Sequence, residues 1–78
     1  MKNINIPVSV TAMSFDRDMR ATPKRMEWAG RIYDFVDAGI RVRSRRGERV
    51  NDTVTCSDGS QSYCLRATGS QWILVGIC

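Results

Sequence analysis

The stretch NINIPVSVTAM, residues 3–13, alternates polar and apolar side chains with a period of two, and the same period returns along most of the chain. Successive side chains of a strand point to opposite faces, whereas a helix groups residues three and four apart. The alternation therefore predicts an all-β protein. Ile4, Ile6, Val8, Val10 and Ala12 fall on one face, and Asn3, Asn5, Ser9 and Thr11 on the other. Pro7, which brings no N–H to a ladder, places this strand at an edge or at a bulge.

Turn signals separate the later apolar runs. In PKRMEWAGRIYDFVDAG, closing a turn at Ala29-Gly30 puts Met26, Trp28, Tyr33 and Phe35 on one face. In IRVRSRRGERV, an inward row of Ile40, Val42 and Ser44 and an outward row of Arg41, Arg43 and Arg45 are expected before Arg46-Gly47-Glu48 turns the chain. A two-residue Asp58-Gly59 loop would set Val54 opposite Tyr63 and Cys56 opposite Gln61, grouping Val54, Cys56, Tyr63 and Leu65 on the core side with Cys64 and Arg66 outside. The stretch SFDRDMRATP, charged and ending in proline, predicts a loop with at most one helical turn. The expectation is a single domain over residues 1–78, an antiparallel meander or small barrel of about six strands. Closing the sheet removes the exposed edges that so short a sheet would present.

The chain has 78 residues, and a domain this small buries only about 60% of its unfolded surface, so it packs one core or leans on a staple or a second subunit. Its three cysteines are an odd number and its first residues lack the apolar run of a secretory signal. The longest apolar run, Trp72 to Ile77, is too short to span a bilayer. These features point to a cytoplasmic chain with all three thiols reduced and no membrane segment. With no histidine and no Cys-x-x-Cys pair, no metal is expected, and no cofactor motif is present. The eight carboxylates form no catalytic motif, so the chain reads as a non-catalytic module.

A resemblance enters with Trp28, Gly30, Arg31 and Tyr33, then Tyr63, Leu65 and Arg66, then Trp72 and Leu74. This order of a Trp-x-Gly-Arg-x-Tyr hairpin, a Tyr-x-Leu-Arg strand and a closing Trp-x-Leu strand resembles a family of uncharacterised small bacterial β-domains, often encoded near error-prone DNA polymerases. The resemblance covers roughly the C-terminal two-thirds of the chain and implies an accessory role around DNA repair.

Charge supplies the leading functional expectation. Arg41, Arg43, Arg45, Arg46 and Arg49 against Glu48 give the segment between Ala38 and Asn51 a local excess of +4, equal to the net charge of the whole chain. A row of guanidinium groups suits a phosphate backbone, with Arg31 a further candidate beside Trp28 and Tyr33, which would stack on bases if their face is open. The alternative is a protein partner or homodimer on the last strand. There Ile73, Val75 and Ile77 would form an apolar face opposite Trp72, Leu74 and Gly76, to be covered by the 16–23 loop, a second copy or another protein.

Overall fold

The alternating runs become seven strands, all antiparallel. They are β1 (Lys2–Phe15), β2 (Ala21–Trp28), β3 (Arg31–Asp34), β4 (Ile40–Arg46), β5 (Arg49–Ser57), β6 (Ser62–Thr68) and β7 (Gln71–Ile77). The computed structural model describes residues 2–78, excluding the side chains of Lys2, Ser44, Arg46, Arg49, Val50 and Asn51. No helix occurs among the described residues. The expected all-β class holds, with seven strands rather than about six.

The strand order β3-β2-β1-β7-β6-β5-β4 joins two meanders through β1 and β7. β1 serves both. Its first half pairs with β7, from Lys2 to Val8, and its second half with β2, from Ser9 to Phe15. Pro7 lies in the half that has β7 alone beside it, opposite Ile73, so β1 is locally an edge there, where a residue without an N–H is tolerated. A bulge follows the same logic: the register slips between Asn3 and Ile6, where Asn5 takes a φ of 56°.

The β2–β3 hairpin closes on Ala29-Gly30, both at positive φ, as a type I′ turn requires, and pairs Trp28 with Arg31 and Met26 with Tyr33. The 16–23 segment departs from expectation. Ser14 and Phe15 extend β1, Ala21 to Pro23 begin β2, and only residues 16–20 turn. Asp16 accounts for this: its carboxylate accepts the backbone N–H groups of Asp18 and Arg20, an Asx-type closure that replaces a helical turn.

The β5–β6 hairpin differs in register. Cys56 faces Tyr63 and Val54 faces Leu65, two residues away from the expected pairing. Asp58 again uses its carboxylate, accepting from the N–H groups of Ser60 and Gln61, so the loop spans four residues instead of two. A slip of two preserves which face each side chain takes. Val54, Cys56, Tyr63 and Leu65 therefore still share the core side, and all four are buried.

The sheet curls into a half-barrel whose concave side is filled by Met26, Phe35, Val54, Cys56, Tyr63, Leu65 and Leu74. Its two ends meet through the β3–β4 connection. Val36 donates to the Ser57 carbonyl, Ser57 N–H donates to Asp37, and the Lys24 ammonium donates to the Asp37 carbonyl. Gly39 passes so close to this seam that a Cβ there would stand 3.0 Å from Val54 and 3.1 Å from Thr22.

The last strand corrects two further expectations. Leu65 pairs with Leu74 but Cys64 pairs with Gly76, so Val75 is an extra residue and the alternation changes phase across it. Ile77 then faces Tyr63 and packs on the core, while Ile73 faces Arg66 on the convex side. Ile73, Val75 and Ile77 thus do not form one apolar face. The same phase change carries Cys78 to the side of Cys64, and the two form a disulfide with Cα atoms 6.4 Å apart. Cys56 alone is a free thiol, so the expectation of three reduced cysteines fails, and with it the thiol argument for a reducing compartment.

Candidate nucleic-acid interface

The arginine-bearing strand β4 is an edge strand whose faces are inverted relative to the sequence expectation. Arg46 pairs with Arg49 around Gly47-Glu48, and this register sets Arg41 opposite Val54. Cross-strand partners share a face. Because Val54 is core, Arg41 points to the concave side, and Ile40 and Val42, 67% and 56% exposed, point outward. The burial of Val54 and Cys56 together with a two-residue Gly47-Glu48 loop would have given this assignment.

Arg41 is consumed by the fold. Its guanidinium donates to Asp52 at 2.7 Å and to the Ala21 carbonyl, tying β4 to β5 and to the start of β2, and its side chain is only 19% exposed. Arg43, opposite Asp52, is 61% exposed and stands 3.8 Å from that carboxylate, too long for a hydrogen bond. Arg45 is exposed and touches only the Gly47 carbonyl, at 3.3 Å, among described contacts. The side chains of Arg46, Arg49 and Ser44 lie outside the described residues. Arg31 is exposed on β3, opposite Trp28.

An open cleft of about 460 Å³ separates β4 from the β1–β2 turn, with Arg20, Arg41 and Arg43 among its lining residues. Arg20 is held by Asp16 at 2.9 Å and Asp18 at 3.3 Å. Three guanidinium groups thus meet three carboxylates, counting Asp52, and the cleft is close to charge balance. Of these three, Arg43 is held most loosely, 61% exposed and 3.8 Å from Asp52, and Arg45 follows it two residues further along β4.

Aromatic rings line the opposite part of the concave side. Trp28 lies 5.8 Å from Tyr33, Tyr33 lies 5.4 Å from Tyr63, and Tyr63 lies 5.9 Å from Phe35. Tyr63 donates its hydroxyl to Asp58, and burial followed by that bond pushes its pKa up to about 12. Trp28 and Trp72 are half-buried against the core. Both line a second opening of about 530 Å³, at the fork where β1 leaves β7 for β2.

Cys56 is not prepared as a nucleophile. Burial, reinforced by the Asp37 charge, pushes the Cys56 thiol up to about 11, away from the thiolate form. Among the described residues no three His, Cys, Asp or Glu side chains are grouped to hold a metal ion. No family model matches the chain, and neither a curated protein nor a solved structure matches it.

Proposed function

We propose that the protein is a non-catalytic binding module that engages the phosphates of nucleic acid through the arginine rim of β4. The observation that carries this reading is the contrast within one strand: Arg41 is locked in a short, half-buried ion pair, while Arg43, 61% exposed, is only loosely paired with Asp52 at 3.8 Å, and Arg45 is exposed with the Gly47 carbonyl as its described contact. Exposed guanidinium forks on a chain of net charge +4 suit a polyanion, because each phosphate contact releases condensed counterions. The accessory role around DNA repair implied by the sequence resemblance is a cellular setting that this reading fits.

The test is a salt titration of binding to single- and double-stranded DNA and RNA, with Arg43 and Arg45 both replaced by Gln. The slope of log affinity against log salt should flatten by about 1.4 to 1.8, since each contact contributes about 0.7 to 0.9. No binding by the unaltered protein at low salt would sink the reading.

A second reading, a protein partner, is favoured by Ile40 and Val42, exposed together on an edge strand that can accept a further strand. Replacing Val42 by Lys and measuring sedimentation tests its homodimer form. A monomer before the change would end that form.

A further inference from the structure

Resting on the nucleic-acid reading, we propose that the opening between Trp28 and Trp72 is a stacking site for unpaired bases, which makes the ligand single-stranded. The argument starts from register. Val8 pairs with Trp72 on one side, and Ser9 pairs with Glu27, beside Trp28, on the other. The two indoles therefore stand on either side of β1 at the fork, beside Val8 and Ser9, each next to a tight turn. Both rings are half-buried, so each keeps an anchored part in the core and an accessible part in the opening.

The opening, about 530 Å³, is comparable in volume to small-molecule sites. Its chemistry is mixed as base recognition requires. Indole surfaces provide stacking, while Gln71, Ser70 and Glu27 provide donors and acceptors at the rim. Cations stand to both sides of the platform. Arg31 is opposite Trp28 on the same face and exposed. On the other side, Trp72 pairs with Ala67, and Arg43 pairs with Asp52, the residue preceding Thr53, which itself pairs with Arg66 beside Ala67. Arg43 thus lies on the Trp72 row three strands away. A strand of unpaired nucleotides laid along this row would stack bases on the tryptophans and set phosphates against the two exposed arginines, Arg31 and Arg43. A duplex hides its base faces within its own stack and gains nothing from the indoles.

The experiment is fluorescence titration of the whole chain with oligothymidylate and with a duplex of equal length, on the unaltered protein and on Trp72→Leu and Trp28→Phe. Expected are quenching of tryptophan emission by the single strand, a lower affinity for the duplex, and about tenfold weaker single-strand binding for Trp72→Leu with an unchanged salt slope. Trp28→Phe, which keeps a ring, should lose less than Trp72→Leu. Should Trp72→Leu fail to fold, the quenching and the strand preference of the unaltered protein still decide the matter. Equal binding of both substrates without quenching would overturn the stacking site and leave the arginine rim standing. Binding to neither would overturn the rim as well.

Discussion

Replacing Arg41 and Arg43 separately by Met should divide their roles, although they sit two residues apart on one strand. Met keeps an unbranched apolar stem, so what is lost is the guanidinium. At Arg41 that removes a 2.7 Å charged hydrogen bond to Asp52 and the bond to the Ala21 carbonyl, in a place where the two ionic side chains are only 19% and 26% exposed. A hydrogen bond to a charged group is worth about 1.5 to 3 kcal/mol, and an acceptor left unpaired adds to the loss. Water reaches part of the site and Arg43 can swing toward Asp52, so the net cost should stay near about 2 kcal/mol. At Arg43 the pair is exposed and long, and the cost should be about 0 to 1 kcal/mol. For a domain of this size the two values correspond to melting temperatures lowered by on the order of 10 °C and by a few degrees. Thermal and urea unfolding followed by circular dichroism measure both, and a double-mutant cycle with Asp52→Asn isolates the coupling. Equal, small losses at the two positions would refute the inverted faces of β4 and restore Arg41 to the solvent.

Gly39→Ala should cost about 2 to 4 kcal/mol in urea unfolding, because the new Cβ meets Val54 and Thr22 and the φ of 75° is left-handed. A neutral outcome would mean that the β3–β4 connection does not press on the seam. Raising pH should destabilise the fold between about 9 and 12. Cys56 and Tyr63 both hold their protons more tightly when folded, so stability is full below their unfolded pKa values and is lost through the folded ones, about 11 and about 12. Cys56→Ser and Tyr63→Phe should each flatten the alkaline limb of a stability–pH curve, and a curve unchanged by either would contradict the shifts. Thiol titration of the denatured, unreduced protein should find one free group, Cys56, and reduction should lower stability by about 3 kcal/mol for a loop of this length. Three free groups would refute the Cys64–Cys78 pairing.

What could be read from the sequence was what depends on local parity, and what could not be read depends on events that shift parity. The faces of β1, the Ala29-Gly30 hairpin and the core set around Val54 and Tyr63 follow from alternation alone, and they match the fold. A two-residue slip at Asp58 was harmless for the same reason. One extra residue at Val75 was not, since it reverses the phase of everything after it, and both the position of Ile77 and the Cys64–Cys78 disulfide were lost there. Nothing in QWILVGIC announces a bulge. The arginine strand failed differently. Taken alone, IRVRSRR favours apolar residues inside, but β4 is an edge strand, and its phase is imposed by β5, whose buried Val54 stands opposite Arg41. Asp52, two residues before Val54, then accommodates the charge.

On the proposed reading, stability and binding occupy different parts of this half-barrel, and the division follows from its size. A chain of 78 residues has enough apolar volume to seal one region, and it does so at the seam, where Met26, Val54, Cys56 and Leu65 are buried and the β3–β4 connection ties the sheet ends together. At the fork of β1, by contrast, the sheet opens between two hairpins, and Trp28, Val8 and Trp72 stay half-buried because no second layer covers them. A large aromatic ring tolerates this position, since its body contributes to the core while its remaining surface stays available. Substitutions at the seam should therefore change unfolding first and binding only through it, whereas substitutions at the fork and at Arg43 should change binding before stability. The order in which the two properties respond, residue by residue, gives the interface a definition independent of any one ligand.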